Sequence, residues 1–448
     1  MQTNVDILTI GGGPAGIISA VTARKYYPDK KVALMKSVGK GVIPCGIPYM
    51  FASLKNPDEN KLGDAALEKN KIDIIVDEAI SLNRQEKVIV TKTNKRYIYE
   101  KLILATGSLP VKPAIPGIDK KGVYPIHKDM ACLKNAIEEI KKTKNVLIVG
   151  GGFIGVEFAD EVSKINGLNV SLVEVFDHLL ENSFDAEFSV LAEQKLKAKG
   201  VILMTGVCVE EIMGTDKVEG VRLSDGREIA VESIILGVGG VPNTKLAAEA
   251  GLDFGRGKGI WVDEYMRTSD PDIYAVGDCA GKRDFYTHKN ANVMLASTAT
   301  AEARIAGANL YQLKVVRENK GTIAIYSTYI DGLVLGSAGL TENSARRESF
   351  EIVTGTAEGV DKHPATLPGA NKIKVKLIFS ERSGIILGGQ VAGGTSCGEI
   401  INLIGVAIQK RMSFAELETL QVATHPYLTS APTVYPIVVA AQDASHKM

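Results

Sequence analysis

The sequence predicts an α/β protein with two or three domains, and three observations support this expectation. The chain has 448 residues, which is too long for one ordinary hydrophobic core. Apolar residues make up 45% of it and 45 residues are glycine, which suits many tight turns between strands and helices. A glycine-rich motif between an apolar run and a helical stretch occurs twice, near residues 11 and 150. We therefore expect two α/β domains of similar construction.

The charge balance limits the classes of partner. Lysine plus arginine and aspartate plus glutamate each number 52, so the formal net charge is zero. Proteins that bind nucleic acid or anionic membranes need surplus positive charge, so we expect neither partner. No run is long and uncharged enough to span a bilayer, and the apolar start lacks the basic leader of a signal peptide. The sequence predicts a cytoplasmic protein, with room for a local basic pocket that binds a phosphorylated ligand.

The cysteines and histidines show no ligand pattern, so we expect no metal. The six histidines have no metal-ligand spacing, and the five cysteines are too scattered for a disulfide framework or a zinc site. A lone cysteine is usually a small buried hydrophobe. We interpret Cys132, Cys208 and Cys397 in this way, and Cys279 as a packing residue.

Two stretches match the fingerprint of dinucleotide-binding units. VDILTIGGGPAG contains Gly11, Gly13 and Gly16, and KNVLIVGGGFIG repeats the arrangement 139 residues later. The first glycine makes the tight turn, the second lets a pyrophosphate approach the backbone, and the third lets helix and strand pack closely. The helix N-terminus then offers N–H groups to the phosphates. We expect two dinucleotide sites.

The strand after each motif differs between the two units. In the second unit, VSLVEV places Glu174 19 residues after Gly155, where a carboxylate can accept hydrogen bonds from ribose hydroxyls. A 2′-phosphate would meet this carboxylate and no arginine follows closely, so the site favours NADH, although NADPH stays open. In the first unit, KVALMK places Met35 at the same distance from Gly16, and a one-residue shift would bring Lys36 there. Either way the carboxylate is missing, so that ribose must be held in another way.

Further segments place chemical groups at the ends of apolar strands. LILATGSLP ends its apolar run in Ala105, Thr106 and Gly107, and IILGVGGVPN repeats this ending in the second unit. In DIYAVGDCA a strand delivers Asp278 at a tight turn, before the alanine-rich helical stretch ASTATAEARIAGANL. Two nucleotide sites suit a hydride relay, in which a flavin stays bound and a nicotinamide visits.

VIPCGIPYM surrounds one cysteine with residues that stiffen the backbone. Pro44 and Pro48 restrict two φ angles, and Gly46 permits a close approach of the backbone. A proline-rich helix start would also direct N–H groups at the thiol of Cys45 and lower its pKa toward a reactive thiolate. The alternative is a rigid turn with an incidental cysteine.

Together these segments resemble the glutathione-reductase-like family of pyridine nucleotide-disulfide oxidoreductases. GGGPAG, ATG, GGGFIGVE and VGDCA carry the resemblance, which covers the whole chain. It implies two Rossmann-like dinucleotide-binding domains, for FAD and NAD, and a C-terminal α+β interface domain that forms a homodimer. The implied segments are 1–118 and 245–319 for the FAD-binding domain, 119–244 for the NAD(P)H-binding domain and 320–448 for the interface domain.

The resemblance also assigns residues to the two cofactors. Asp278 would bind the ribitol chain of FAD, and Glu157 would lie near the nicotinamide. The FAD residues would be Gly11, Gly13, Pro14, Ala15, Gly16, Ala105, Thr106, Gly107, Gly277 and Asp278. The NAD residues would be Gly150, Gly152, Ile154, Gly155, Glu157, Glu174 and Gly239.

Within the family, VIPCGIPYM resembles the single-cysteine branch of coenzyme A-disulfide, polysulfide and persulfide reductases, NADH oxidases and peroxidases. The dithiol branch has a Cys-x4-Cys pair, whereas Lys40 and Met50 stand five residues on either side of Cys45. The resemblance implies an NAD(P)H-dependent flavoenzyme that reduces a sulfur–sulfur bond of a small thiol species. Oxidised Cys45 would be a mixed disulfide, a persulfide or a sulfenate, and its thiolate would attack the next substrate sulfur.

Two other functions stay open. One is an NADH oxidase that reduces oxygen, although the oxidase and peroxidase branch usually carries a histidine where this chain has Pro14 and Ala15. The other is an electron-transfer flavoprotein that serves a small redox protein, with Cys45 incidental. Four basic residues could bind coenzyme A phosphates or form a solvated surface: Arg24, Lys25, Lys36 and Lys40.

The leaving sulfur needs a proton donor, and ATHPYLTSAPTVYP supplies candidates. His425-Pro426 resembles the His-Pro of the disulfide reductases, in which the histidine of one subunit serves the cysteine of the other. No glutamate follows to orient the imidazole, so Tyr427 and Tyr435 are alternative donors. His425 could instead cap a turn.

Overall fold

The structure is a computed structural model that describes residues 2–255, 257–317 and 321–448. The chain forms two compact units. The first unit contains Met1–Val111, Pro125–Glu138 and Gly239–Thr322, and the second contains Lys112–Tyr124, Glu139–Val238 and Ile323–Met448. The second glycine motif and the C-terminal sheet thus belong to one unit. The division into four sequence segments stays a prediction.

The strands, in chain order, are β1 (Gln2–Ile10), β2 (Val32–Lys36), β3 (Gly41–Val42), β4 (Lys61–Leu62), β5 (Asp73–Val76), β6 (Ala79–Asn83), β7 (Val88–Thr91), β8 (Arg96–Leu104), β9 (Ser108–Pro110), β10 (Val123–Pro125), β11 (Asn145–Val149), β12 (Asn169–Val173), β13 (Ile202–Met204), β14 (Val209–Met213), β15 (Gly220–Leu223), β16 (Glu228–Ile229), β17 (Ser233–Leu236), β18 (Gly240–Pro242), β19 (Ile273–Ala275), β20 (Lys282–Arg283), β21 (Asn290–Ala291), β22 (Ile325–Ile330), β23 (Leu333–Gly339), β24 (Ile352–Val360), β25 (Lys372–Ser380) and β26 (Ile386–Gly393). The helices are α1 (Pro14–Tyr26), α2 (Ala65–Lys69), α3 (Met130–Ile140), α4 (Phe153–Val162), α5 (Ala186–Ala198), α6 (Lys245–Glu249), α7 (Ala296–Ala308), α8 (Glu342–Arg347), α9 (Cys397–Gln409), α10 (Phe414–Glu418) and α11 (Pro436–Ser445). Short 3-10 turns cover Pro44–Gly46, Pro48–Met50, Pro57–Asn60, Gly277–Cys279 and Pro432–Val434.

The first unit contains a mixed sheet with the order β5-β2-β1-β8-β7-β6, in which β19 also pairs with β8. The strands β5, β2, β1, β8 and β19 pair in parallel, and β7 and β6 are antiparallel. Every residue of β2 is buried, as expected for a parallel strand covered on both faces. Helices α1 and α7 pack together closely. The small size of Gly307 allows this approach, because a Cβ there would lie 2.7 Å from the carbonyl oxygen of Ser19.

The second unit contains the other nucleotide fold, a sheet with the order β10-β17-β11-β12-β13. Strands β17, β11, β12 and β13 pair in parallel. The antiparallel strands β14, β15 and β16 share a hydrophobic core with this sheet, which includes Leu147, Val173 and Val221. The apolar runs NVLIV and SIIL thus form buried central strands, and helix α4 begins directly after the glycine turn.

The C-terminal part of the second unit is an antiparallel sheet with the order β22-β23-β26-β25-β24. Helix α9 packs on β23 and β26, and helix α11 packs on β24 and β25. Gly355 on β24 permits this packing, because a Cβ there would lie 1.8 Å from the carbonyl oxygen of Ala440.

A buried cation joins the nucleotide fold of the second unit to this sheet. Lys376 Nζ on β25 lies 3.0 Å from Asp185, 2.7 Å from Glu187 and 2.7 Å from Glu342. Asp185 also accepts a hydrogen bond from the amide of Gln390. A buried charge is tolerated only when it is paired and hydrogen-bonded, so these residues hold the two parts of the unit in one arrangement.

Two further searches concern only the part of the chain that the structure describes. No helix there is long and apolar enough to cross a membrane. No group of three or more histidine, cysteine, aspartate or glutamate residues there could hold a metal ion.

Candidate functional site

The first glycine motif forms a turn that leaves space for a phosphate. Gly11 has a φ of +124°, and a Cβ there would lie 2.0 Å from the carbonyl oxygen of Ala105. A Cβ on Gly16 would lie 1.9 Å from the carbonyl oxygen of Gly11, so both positions require glycine. A Cβ on Gly13 would meet nothing within 4 Å. The open side of the turn thus lies where α1 begins at Pro14, as a bound pyrophosphate requires.

The second motif has the same construction. Gly150 has a φ of +100°, and a Cβ there would lie 2.8 Å from the carbonyl oxygen of Gly237. A Cβ on Gly155 would lie 1.8 Å from Gly150, whereas one on Gly152 would meet nothing within 4 Å. Ile154 is 40% exposed in the first turn of α4. Both turns are therefore suited to a dinucleotide.

Backbone hydrogen bonds decide which residue of β2 corresponds to Glu174. In the second fold, Gly150 N–H donates to the carbonyl oxygen of Val173, the residue before Glu174. In the first fold, Gly11 N–H donates to the carbonyl oxygen of Met35, the residue before Lys36. Lys36 therefore corresponds to Glu174, and Met35 lies in the core. Counting residues from the glycine favoured Met35 because the first fold has one more residue between motif and strand.

Glu174 is held at the edge of the second motif. Its Oε2 accepts a hydrogen bond from Gly151 N–H at 2.5 Å, and its Oε1 accepts one from Phe176 N–H at 3.0 Å. The side chains that follow, of Val175 and Phe176, are apolar and exposed. A carboxylate in this position can accept from ribose hydroxyls, and neither Val175 nor Phe176 offers a cation to a 2′-phosphate.

Two of the four basic residues that could bind coenzyme A phosphates or form a solvated surface are engaged within the protein. Arg24 donates to the carbonyl oxygens of Pro28 and Lys30 at 3.0 and 2.6 Å. Lys36 is buried at 6% exposure and pairs with Asp64 at 2.7 Å. Lys25 and Lys40 are exposed.

Asp278 lies in the turn after β19, beside a cavity of about 190 Å³. Its Oδ2 accepts a hydrogen bond from Ser108 Oγ at 2.7 Å and pairs with Lys128 Nζ at 3.1 Å. Gly277 has a φ of +73°, and a Cβ there would lie 2.9 Å from Ala15 on α1. The aspartate is therefore positioned close to the start of α1, as a ligand to a nucleotide bound there should be.

A buried ion pair supports this turn, and sequence reasoning missed it. Lys282 Nζ donates to the carbonyl oxygen of Gly277 at 2.7 Å and lies 3.1 Å from Glu302. Glu302 in turn accepts from Gly277 N–H at 2.9 Å. A lysine and a glutamate 20 residues apart give no sequence signal, because only α7 brings them together.

The ATG segment is tied to the chain where it returns to the first unit. Thr106 Oγ1 donates to the carbonyl oxygen of Asn243 at 2.6 Å, and Asn243 N–H donates to Gly107 at 2.9 Å. Strands β9 and β18, which follow Gly107 and Gly239, pair antiparallel. The predicted strand-then-glycine endings thus meet in one ladder.

Glu157 is a partly buried acid on α4, and its pKa is raised. Burial is the main cause that raises its pKa to about 7, and the nearby charges of Asp160 and Glu161 contribute to this rise. Thr328 Oγ1 on β22 donates to Glu157 Oε1 at 2.9 Å, which partly opposes the rise. Tyr326, on the same strand, stacks on Phe153 with ring centroids 4.8 Å apart. Strand β22 thus contacts the face of α4 that carries this acid.

The cysteine loop is short and stiff. Cys45 is exposed, and Gly46 packs closely on Asn60, since a Cβ on Gly46 would lie 2.0 Å from Asn60 Oδ1. Asn60, which sequence reasoning missed, is buried and donates through Nδ2 to the carbonyl oxygen of Ile43 at 3.0 Å. A single asparagine in a polar stretch carries no sequence signal for this role.

The expectation of a helix start at Cys45 is wrong as to the helix, and the direction of N–H groups toward the thiol stays a prediction. The segment forms two 3-10 turns, Pro44–Gly46 and Pro48–Met50. Gly46 N–H donates to the carbonyl oxygen of Ile43 at 3.0 Å, and Ile47 N–H donates to Pro44 at 3.2 Å. Both bonds close 3-10 turns, since prolines four residues apart prevent a regular helix.

The other cysteines differ in burial. Cys397 is buried, as expected, and so is Cys279, whose pKa burial raises. The prediction that Cys132 and Cys208 are buried is wrong, because both are exposed. Cys132 lies in the first turn of the amphipathic α3 and Cys208 in the loop before β14, where short side chains do not reach the core.

The three predicted proton donors lie in the second unit and Cys45 lies in the first. His425 caps a turn, because its Nδ1 accepts from Tyr427 N–H at 3.3 Å. This bond places the ring proton on Nε2 in the neutral tautomer. His425 and Tyr427 are exposed, whereas burial raises the pKa of Tyr435.

A second His-Pro segment, missed at the sequence level, supports this loop. His363 N–H donates to the carbonyl oxygen of Pro426 at 3.0 Å, and its Nδ1–H donates to that of Thr429 at 3.0 Å. Lys362 Nζ lies 5.8 Å from the ring centroid of Tyr427. The repeated His-Pro dipeptide was the available signal.

Comparison with known proteins identifies the family. Residues 5–303 match the pyridine nucleotide-disulphide oxidoreductase family, and residues 325–434 match the dimerisation domain of the same family. The chain therefore belongs to the pyridine nucleotide-disulphide oxidoreductases, with FAD and NAD domains followed by a dimerisation domain. It is an NAD(P)H-dependent flavoprotein oxidoreductase whose cofactors are FAD and NAD(P)H.

Individual relatives carry two kinds of name. An NADH oxidase of Methanocaldococcus jannaschii is 32% identical over 98% of this chain and 99% of that protein. An NAD(P)H coenzyme A polysulfide/persulfide reductase of Pyrococcus horikoshii is 31% identical over 86% of this chain and 87% of that protein. Among solved structures, the NAD-dependent persulfide reductase from A. fulgidus has a TM-score of 0.91 at 29% identity, covering 100% of this chain and 83% of the other.

Proposed function

We propose that the protein reduces a sulfur–sulfur bond of a small thiol species, such as coenzyme A disulfide, a polysulfide or a persulfide, through Cys45. The observation that carries the proposal is the exposed Cys45 in a loop stiffened by two prolines and by Asn60, with no second cysteine in that segment. An exposed thiol in a rigid loop can be attacked by, and can attack, an external sulfur.

The residues around the two turns would hold the cofactors. The turn at Gly11, Gly13 and Gly16 with Asp278 would bind FAD, and the turn at Gly150 with Glu174 would bind NADH. When bound, FAD takes a hydride from the nicotinamide and passes two electrons to a sulfur–sulfur bond. Glu174 supports a preference for NADH, because a 2′-phosphate would lie against its carboxylate.

Cys45 supplies the nucleophile. Its thiolate would attack one sulfur of the substrate, so that a new bond to Cys45 forms as the substrate bond breaks. The other sulfur leaves as a thiolate and takes a proton, and the disulfide has moved to the protein without net oxidation. With one protein sulfur, this oxidised form is a mixed disulfide or a persulfide.

The protons would come from the loop around His425. The neutral imidazole carries its proton on Nε2, because Nδ1 accepts from Tyr427 N–H. Tyr435, whose pKa burial raises, stays neutral at physiological pH and can also donate. The match to a dimerisation domain supports a homodimer in which this loop serves the cysteine of the partner subunit.

A second candidate is an NADH oxidase, favoured by the whole-length match to the M. jannaschii protein of that name. In that reaction Cys45 would cycle between thiolate and sulfenate, and oxygen would receive the electrons. Both candidates use the same cysteine and differ in the external acceptor.

Replacement of Cys45 by serine tests the proposal. We expect NADH-driven reduction of coenzyme A disulfide or polysulfide to fall by on the order of 100-fold or more, because serine is a far weaker nucleophile. Cys132→Ser is the matched control, since that thiol is also exposed and lies in the same unit. Reduction of an artificial dye should persist in both variants.

Other outcomes identify other functions. Unchanged sulfur reduction in Cys45→Ser would overturn the proposal, and NADH oxidation that requires only oxygen and Cys45 would favour the oxidase. Mass spectrometry of the purified protein adds an independent observation. A coenzyme A or sulfur adduct on Cys45 supports the reductase, and one added oxygen supports the oxidase.

A further inference from the structure

The first nucleotide fold places a cation where the second places its ribose-binding acid. In the second fold, a Cβ on Gly151 would lie 2.9 Å from Glu174 Oε2 and 3.0 Å from Glu174 Cβ. In the first fold, a Cβ on Gly12 would lie 2.8 Å from Lys36 Cβ and 3.0 Å from Lys36 Cδ. The two side chains thus pack against the same glycine of their motifs, and the first fold lacks an acid at this point.

The Lys36 ammonium is held by one carboxylate and one backbone carbonyl. Nζ lies 2.7 Å from Asp64 Oδ1, 2.7 Å from Asp64 Oδ2 and 3.0 Å from the carbonyl oxygen of Gly39. An ammonium group has three donors and accepts nothing. Because its ammonium is buried and held by these two groups, Lys36 is placed to position Asp64 and not to contact a ligand.

Asp64 has hydrogen-bonding capacity left for a ligand. A carboxylate has about four acceptor positions, and the ion pair occupies one on each oxygen. Its side chain is 28% exposed, whereas that of Lys36 is 6% exposed. Asp64 stands at the N-cap of α2 and makes no capping hydrogen bond with its side chain. An accessible carboxylate is thus delivered beside the motif from another segment.

We propose that Asp64 accepts hydrogen bonds from the ribose hydroxyls of the adenosine half of FAD, and that Lys36 is the residue that positions it. The ligand class is the cis-diol of an adenine nucleotide. Lys36 stands at the strand position where the second fold has its acid, and its ion pair holds the carboxylate of Asp64 beside the motif. The inference concerns FAD alone, so it can fail while the proposed sulfur chemistry stands.

The rate at which the holoenzyme releases FAD tests the inference. We expect Asp64→Asn to release FAD about tenfold faster, as the loss of a charged acceptor implies, and Lys36→Met to act in the same direction. Asp58→Asn is the matched control, since Asp58 also forms an ion pair in this unit, with Lys134 at 2.6 Å, and should leave the release rate unchanged. The fluorescence of released flavin gives the readout without any turnover.

Competition separates ribose binding from support of the loop. ADP should block reconstitution of the FAD-stripped full-length chain about tenfold better than 2′-deoxy-ADP does, and Asp64→Asn should remove this difference. FMN, which has no adenosine, should bind wild type and Asp64→Asn equally. Equal inhibition by ADP and 2′-deoxy-ADP in the wild type would overturn the inference, as would equal losses of FAD and FMN binding in Asp64→Asn.

Discussion

The two nucleotide folds of this chain share a backbone and differ in charge at one position. Each motif has a first glycine with positive φ, a second with open space in front of it, and a third packed on the backbone of the first. At the end of the following strand, one fold carries Glu174 and the other Lys36. We expect that the shared backbone allows a dinucleotide to bind, and that the side chain at this point affects how its ribose is held.

The helices after the motifs differ in the same way. Two residues after the third glycine, α1 carries Ile18 and α4 carries Glu157. Of these two positions, only the second carries an acid, and its pKa is raised. The comparison therefore leads to experiments that change one fold and leave the other as an internal control.

The largest effect is expected from alanine at the first glycine of each motif. A Cβ would lie 2.0 Å from a backbone oxygen at Gly11 and 2.8 Å at Gly150, and both positions have positive φ. We expect Gly11→Ala to lose FAD and its colour, with an affinity at least about 100-fold lower. Gly150→Ala should keep its flavin and bind NADH more weakly. Flavin content and NADH titration measure both; a yellow Gly11→Ala protein would contradict the expectation.

The next effect is a pH dependence that belongs to the second fold. The pKa of Glu157 is raised from 4.5 to about 7, so the folded protein keeps this proton while the unfolded chain releases it between those values. The contribution of protonated Glu157 to the free energy of unfolding, roughly 3 kcal/mol, is therefore fully present below pH 4.5 and is lost as pH rises through 7.

Glu157→Gln removes this dependence. Without NADH, the variant should melt at a higher temperature than the wild type above pH 7, and the difference should shrink toward pH 4.5. Thermal unfolding between pH 5 and 8.5 measures it, with Ile18→Val in the first fold as the control. A difference that does not change with pH would show that Glu157 is ionised throughout.

A smaller effect is expected from Glu174→Gln. The amide can still accept one hydrogen bond but loses the negative charge, so KM for NADH should rise about tenfold. The FAD release rate should stay unchanged, whereas Asp64→Asn should show the reverse pattern. Steady-state kinetics with NADH and NADPH provide the measurement, and a loss of FAD in Glu174→Gln would break the separation of the two folds.

The smallest effect is expected from Thr328→Val. Its hydroxyl lowers the pKa of Glu157 against the effect of burial, so its removal should raise that pKa by up to about one unit. The pH profile of NADH binding should move to higher pH by the same amount. Thr328→Ser keeps the hydroxyl and should restore the wild-type profile; a profile that valine leaves in place would contradict the role of this contact.

Some features of the site could be predicted from sequence because they are local. The turns at Gly11 and Gly150 require glycine within a few residues of chain, and Asp278 follows its strand directly. The isolated cysteine between two prolines is also local information. By contrast, Asn60, Glu302 and His363 act on segments far from them in sequence, and nothing in their own surroundings indicates those partners.

The incorrect predictions, on the helix after Pro44 and on the burial of Cys132 and Cys208, also have physical causes. Two 3-10 turns replace the helix expected after Pro44, since the second proline stops its extension. Cys132 and Cys208 are exposed because their positions on a helix and a loop, and not their residue type, decide their burial.

By itself the sequence determined the number of nucleotide sites, the order of the domains and the single cysteine, because each depends on residues adjacent along the chain. Only the tertiary structure decided that Lys36, and not Met35, corresponds to Glu174, because this depends on hydrogen bonds between strands. It also decided that Asp64 forms an ion pair with Lys36 and that Thr328 donates a hydrogen bond to Glu157. Such pairs form when separate segments pack together, and the spacing of residues along the chain does not give the distance between the two side chains.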